Sequence, residues 1–440
     1  MGISTAIRSF DTKVRSAKAT QLTFSSPLED SAFTAHGNDA WVSESREQLR
    51  ANRCVAIPTE TVYGLAANAL DAQAARSIFE TKGRPSDNPL IVHVSSIRML
   101  RSLYHLPPSQ GDSQIAMPFL GTNNAALEGQ HLRAQLRSAE EADRKQGGDG
   151  VWPEIPRVYH DVIRRFWPGA LTLIMPRPPC IPMEVLGGHG STVAVRFPSH
   201  PVARAVISAC GLPLAAPSAN ASGRPSPTLA QHVLHDLDGR LPLIVDAGAC
   251  DVGVESTVLD AYSANAYVSE ALSPCILRPG GVTYEDLRSM GGAFERLRVY
   301  RRDFTSAEME AHPTTPGMKY RHYSPNAPVF LYVSKGAKGD AAANQLVQMQ
   351  QTLGQLGGMR KVGIVTVGNS GSFEAPEQIE LVEIAVANSK ELAHSIFALL
   401  RRLDEVDRVD AILVQGVDDA NEGLAVMNRL GKAASHHISC

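Results

Sequence analysis

A chain of 440 residues has room for two or three domains of about 150 residues each, which excludes a single small module. Its 43% hydrophobic and 20% charged content excludes wholesale disorder. The 42 Lys and Arg against 45 Asp and Glu give a formal net charge of -3, so no global positive charge drives the chain onto nucleic acid or membrane, and any anion site must be a local cluster of cations.

Residues 1 to 40 are polar and aperiodic and read as a flexible tail. The first 28 residues hold one acid, Asp11, beside Arg8, Lys13, Arg15 and Lys18, a balance reminiscent of a mitochondrial presequence. A tail on a cytoplasmic protein is the preferred reading, with an additional mitochondrial form left open. Order is expected from Trp41. A helical pattern from Ser43 to Asn52 feeds a short buried strand, Val55-Ala56-Ile57, that stops at Pro58. Asp71 caps a predicted helix over Ala72 to Thr81, Lys82-Gly83-Arg84 follows its end, and Leu90 to Val94 is a strand.

Between residues 107 and 153 the sequence turns to Gln, Gly, Ser, Ala and scattered charge, which reads as an insertion in a domain running from 41 to 290. Strands are then expected at Leu171 to Ile174, Thr192 to Arg196, Leu214 to Ala216, Leu243 to Val245 and Ser256 to Leu259, with a helix over Pro201 to Cys210. This alternation predicts an α/β domain. The arginine cluster Arg296, Arg298, Arg301 and Arg302 and the prolines at 313, 316, 325 and 328 mark 291 to 327 as a linker. From 328 to 440, strands at Val329 to Val333, Val362 to Val367, Leu381 to Val386 and Ala411 to Val414 alternate with helices at Ala341 to Thr352 and Ser389 to Leu403. A smaller, mostly parallel, Rossmann-like α/β domain is expected there.

The six cysteines form no C-x-x-C pair, and no apolar stretch approaches the ~20 residues that span a bilayer, so a soluble protein of a reducing compartment is expected, with no membrane partner and no protein-bound metal. The glycine loops that cradle phosphates, the G-x-S-x-G elbow and the H-E-x-x-H helix are all missing. What the chain offers instead is polar residues at strand ends. Pro58 to Gly64 closes the first strand with two hydroxyls, a carboxylate and a phenol, although a capped turn explains it equally well. Ala216 to Thr228 holds too many small hydrogen-bonding residues for a core and follows a strand, where α/β ligands bind; a solvated loop is the competing reading. Lys82, Arg84, Arg196 and Arg278 supply positive charge, and Thr61, Ser218, Asn220 and Ser256 neutral hydrogen-bonding groups. That set suits an anion-rich substrate such as a nucleotide, held by side chains.

The succession PTETVYGL (58–65), KGRPSDNPLIVHV (82–94), WPGALTLI (167–174), VAVRFPSHP (193–201), APSANASGRPSPT (216–228), GVEST (253–257) and LRPGG (277–281) resembles the YrdC-like family of threonylcarbamoyl-AMP synthases. PGMKYRHYSP (316–325) and GLAVMNRLGKAAS (423–435) resemble the linker and C-terminal motif of its two-domain type. The resemblance implies a twisted mixed-sheet domain with a concave basic cleft, followed by the smaller domain. It implies synthesis of L-threonylcarbamoyl-AMP from L-threonine, bicarbonate or CO2, and ATP with Mg2+, releasing pyrophosphate, as the first step of t6A formation in tRNA.

The family's catalytic tetrad then falls on Lys82, Arg84, Ser218 and Asn220. Threonine-site positions fall on Thr61, His93, Arg196, Ser218 and Ser256, and ATP-site positions on Arg84, Asn88, Thr192, Asn220, Thr228 and Arg278, with His322 and Tyr323 on a linker that folds over the nucleotide. The implied partners are the downstream tRNA threonylcarbamoyl-transferase machinery and a weak tRNA contact. Two other functions fit parts of the chain: a tRNA or double-stranded-RNA binding module, opposed by the net charge, and an O-carbamoyltransferase using carbamoyl-adenylate, opposed by the linker and the second domain.

Overall fold

Short apolar runs flanked by turn residues build the sheet that carries the cleft. In the computed structural model, which describes residues 10–18, 22–24, 33–35, 40–106, 152–262, 273–303, 305, 322–334, 341–368 and 373–440, these runs are strands. They are β1 (Lys13–Ser16), β2 (Leu22–Phe24), β3 (Phe33–Ala35), β4 (Val55–Ile57), β5 (Gly64–Asn68), β6 (Ile91–His93) and β7 (Leu171–Pro176). Then follow β8 (Thr192–Arg196), β9 (Leu214–Ala215), β10 (Leu243–Asp246), β11 (Thr257–Asp260), β12 (Cys275–Arg278) and β13 (Arg298–Val299). β2 and β3 pair with each other; the other eleven form one mixed sheet in the order β1-β10-β4-β5-β9-β6-β8-β7-β11-β12-β13.

Helices seal this sheet where the sequence caps them. Asp71 accepts from the Ala74 amide to start the helix Ala72–Lys82, and Gly83 ends it at φ 62, a left-handed conformation that glycine adopts without steric cost. His200 and Gly211 bracket the helix Pro201–Cys210, with proline at its first position. Among the described residues no helix is long and apolar enough to cross a membrane.

The C-terminal sheet is wholly parallel, with β14 (Val329–Val333), β15 (Lys361–Val367), β16 (Glu380–Val386), β17 (Ala411–Gln415) and β18 (His436–Ser439) in the order β16-β15-β17-β14-β18. Parallel strands covered by helices read as continuous apolar runs, and all five residues of β17 are buried.

Three expected boundaries need correction. The tail does not run to residue 40: Lys13–Ser16 adds a parallel strand to Leu243–Asp246 at the sheet edge, and a helix begins at Ala40. Its polar residues hid it, because an edge strand faces solvent and lacks an apolar alternation. The linker does not begin at 291, since Arg298–Val299 pairs with Cys275–Ile276. The insertion ends before Trp152, which is buried in the core; residues 107–151, like linker residues 306–321, lie outside the described residues.

Candidate active site

Register places the first polar row. Across neighbouring strands, in-register residues project to the same face of a sheet. His93 pairs with Arg196, and Arg196 with Thr172, on β6, β8 and β7. Arg196 is clamped from behind: its guanidinium donates to Glu60 Oε1 at 2.7 Å and to Thr61 Oγ1 at 2.8 Å. Burial works to raise the Glu60 carboxyl, but Arg196 holds it below its ordinary range. Thr172 Oγ1 lies 2.7 Å from Ser256 Oγ, which with the Ser256 carbonyl accepts from Arg278 at 3.2 and 2.9 Å. Gly280 permits this: a Cβ there would lie 2.2 Å from the Glu255 carbonyl oxygen, so only glycine lets the turn after β12 approach that loop.

The second group comes from two segments far apart in the chain. Lys82, the last residue of its helix, donates from Nζ to the Ser218 carbonyl and, at 2.6 Å, to the Asn220 carbonyl. The Ser222 amide donates back to the Lys82 carbonyl at 2.9 Å. Burial, with Arg84 next, holds the Lys82 ammonium well below its usual pKa. Lys82 is therefore the tie that fixes the 216–224 loop against the Lys82-Gly83-Arg84 turn.

Lys82, Arg84, His93, Arg196, Ser218, Asn220, Ser256, Arg278, His322 and Tyr323 all line one cleft. Burial, then Arg84, Lys432 and Lys82, depress His322 to about 3, so its imidazole is neutral at physiological pH. Burial and the adjacent Glu255 push the Tyr323 phenol up to about 12. The other expected residues do not line the cleft. Thr61 is wholly buried behind Arg196, and Thr192 sits at the far end of β8 from Arg196. Asn88 and Thr228 are buried, and both ends of the Asn88 amide and the Thr228 hydroxyl have no hydrogen-bond partner in the protein.

Two family models match in tandem. One, described as "Telomere recombination", covers residues 47–118 and 138–280. The other, described as "Threonylcarbamoyl-AMP synthase, C-terminal domain", covers 282–435. The threonylcarbamoyl-AMP synthase of Schizosaccharomyces pombe is 39% identical over 97% of this chain and 98% of its own length. The chain belongs to the threonylcarbamoyl-AMP synthase family. A Bacillus subtilis synthase is 37% identical over 91% of this chain and 95% of its own. The crystal structure of Pyrococcus abyssi Sua5 complexed with L-threonine superposes with a TM-score of 0.66 at 32% identity, covering 97% of this chain and 99% of that one.

Sequence reasoning missed what the second half of this synthase-family chain gives the cleft. Arg429, on the helix Glu422–Ala433, donates from Nε to Glu255 Oε2 at 2.9 Å, and Ser226 Oγ donates to Glu255 Oε1 at 2.6 Å. Arg401 donates to Asp236 at 2.7 Å and to the Pro225 carbonyl at 2.6 Å. Val62 and Val254 pack with Tyr323, Phe397 and Leu400 in an apolar cluster between the two sheets. The signal was present only as single arginines on amphipathic helices, where basic residues read equally as part of a solvated face.

Proposed function

We propose that this chain condenses L-threonine, CO2 or bicarbonate, and ATP into L-threonylcarbamoyl-AMP with release of pyrophosphate, the first step of t6A formation. The observation that carries this reading is one cleft uniting Lys82 and Arg84 with Ser218 and Asn220, 136 to 138 residues apart at the Lys82 tie, in a chain of the synthase family. Arg196, braced by Glu60 and Thr61, presents a fixed guanidinium to the threonine carboxylate, the planar pairing that arginine makes best. The relative solved with L-threonine supports that end of the cleft. His93 and Ser256 border it, with Ser256 oriented by Thr172 and Arg278.

The protein needs no nucleophile of its own. The threonine amine adds to CO2 and loses a proton to give a carbamate; a carbamate oxygen attacks the α-phosphorus, and the bond to the bridging oxygen of pyrophosphate breaks. Arg84 and Arg278 face the charge that develops on the phosphates, a fixed cationic environment that needs no reorganisation during reaction. Asn88 and Thr228 carry buried polar atoms without protein partners, which a nucleotide reaching past the cleft wall would satisfy; Thr192, partly exposed at the far end of β8, is assigned to ATP by the family pattern alone. His322 and Tyr323 cover the site, limiting water around a hydrolysable anhydride. Mg2+ enters on the ATP as part of the substrate; Glu255, the acid lining the cleft, is already engaged by Arg429 and Ser226. The product, a mixed anhydride, is handed to a transferase acting on tRNA.

Incubation with ATP, Mg2+, bicarbonate and radiolabelled threonine tests this: a labelled adenylate and stoichiometric pyrophosphate are expected. Pyrophosphate release independent of threonine, or tight RNA binding without any adenylate, would reject it.

A further inference from the structure

A carboxylate in the wall of a cleft meant for a triphosphate is misplaced by charge, and Glu255 is such a group. It is the one acid among the described residues lining the cleft, and it directly precedes Ser256, on which Arg278 rests. Its compensation comes from the other domain. Arg429, with its side chain 1% exposed, makes the 2.9 Å ion pair with Glu255 and is absent from the cleft lining, so it stands behind the acid. A second guanidinium nitrogen donates to the Pro279 carbonyl, in the turn after β12. The guanidinium also lies 5.8 Å from the centre of the Tyr323 ring, beside the cover of the site. Burial works to raise the Glu255 carboxyl, yet Arg429 first and Arg278 second bring it down to about 2. The acid is thus ionised at every physiological pH and needs a permanent counter-charge.

We infer that Arg429 is a positioning residue of the nucleotide site: by neutralising Glu255 from behind and steadying the Pro279 turn, it lets the cleft accept a polyanion. The C-terminal domain is then the counter-ion of the active site. This rests on the reading of the cleft as an ATP site. Without Arg429, Glu255 would have only Arg278 against its charge, and would draw that guanidinium away from the phosphates while leaving the Arg196 end of the cleft as it is.

The test uses the full chain in three forms, wild type, Arg429→Met and the double variant Arg429→Met/Glu255→Gln, with ATP and L-threonine affinities measured by calorimetry and folding checked by thermal melting. Arg429→Met is expected to bind ATP about ten- to hundredfold more weakly. Its threonine affinity should stay within about threefold of wild type, and the double variant should recover most of the lost ATP affinity. A double variant as weak toward ATP as the single one overturns the proposal, because Arg429 would then act on the phosphates itself or serve only to join the domains. Undiminished ATP binding by Arg429→Met also overturns it. If the single variant fails to fold, the double one decides alone, since it removes both members of the buried pair: ATP affinity near wild type supports the proposal, and weak binding or failure to fold defeats it. Absence of ATP binding by the wild type is a separate outcome, rejecting the site reading and with it this inference.

Discussion

Two buried ion pairs flank the cleft, and they are built in opposite order. In Arg196–Glu60 the cation lines the cleft and the acid stands behind it; in Glu255–Arg429 the acid lines the cleft and the cation stands behind. Both carboxyls are held below their ordinary range despite burial, so both pairs are ionised. The order decides what a ligand meets. At the Arg196 end it meets a guanidinium whose aim is fixed by its partner, and at the Glu255 end a wall whose charge has been cancelled. Proximity in the fold separates the pairs further: Arg196–Glu60 lies within the large sheet domain, whereas Glu255–Arg429 joins the two domains. A buried pair is weak evidence for stability, but losing one member is costly, and here the loss should be felt at different ends of one substrate pair.

The largest expected effect is at the outward-facing cation. Arg196→Met should lower kcat/KM for threonine by roughly a hundredfold or more, with ATP affinity little changed, because a charge-assisted and desolvated pairing is lost. Steady-state pyrophosphate release at varied threonine checks this, and an unchanged threonine KM would break the comparison. Next comes a buried pair away from the substrate contacts. Arg401→Met should cost about 1.5 to 3 kcal/mol in chemical denaturation, because buried Asp236 loses its 2.7 Å partner but keeps Arg224 at 3.4 Å and the Ala221 amide. Its threonine KM should not move, which separates domain attachment from substrate binding. Glu60→Gln sharpens the contrast: the guanidinium keeps its charge but loses its brace, so threonine KM should rise by about tenfold with kcat less affected.

Acid should act on both ends together. His93 and His322 are depressed to about 3, and His232 to about 4, burial being the first cause in each. The unfolded chain protonates these rings near pH 6.5 and the native state does not, so stability falls as pH drops from 6.5 toward 4. Below about 4.5, protonation of the carboxyls of Glu60 and Glu255 in the unfolded chain adds to the loss, since their native pKa values are lowered. Melting temperature measured from pH 7.5 to 4.5 should therefore hold nearly level at first and decline increasingly below about pH 6.5, and a flat profile across the whole range would contradict the buried neutral imidazoles. The smallest effect belongs to the half-exposed pair Arg15–Glu44 on the first strand and the helix Ala40–Arg50, where Arg15→Ala should barely shift the melting curve.

The cleft was legible because its residues sit in short polar segments closing apolar strands, and a strand end is where α/β architecture concentrates ligand contacts. Arg196 and Arg278 close β8 and β12, and His93 closes β6. What stands behind those residues was not legible. Glu60 is adjacent to Thr61 in sequence, but its service to Arg196 depends on a contact across 136 residues. Arg429 meets Glu255 across 174, on a helix whose apolar stripe explains itself without a partner. Elements were lost for a related reason. Gly64–Asn68 carries two alanines, a glycine and no β-branched residue, yet it is a central strand because tertiary pairing with β4 and β9 outweighs propensity. Lys13–Ser16 and His436–Ser439 lie at sheet edges, where a polar sequence is compatible with a strand.

The separation of Glu255 from Arg429 also has a meaning in time. A ribosome adding about 5 to 20 residues per second delivers the acid first and its counter-charge, 174 residues later, after roughly 10 to 35 seconds. During that interval the large sheet can assemble, but the loop bearing Glu255 has no partner from the second domain. A nascent chain would therefore have the Arg196–Glu60 end of the cleft assembled before Glu255 meets Arg429.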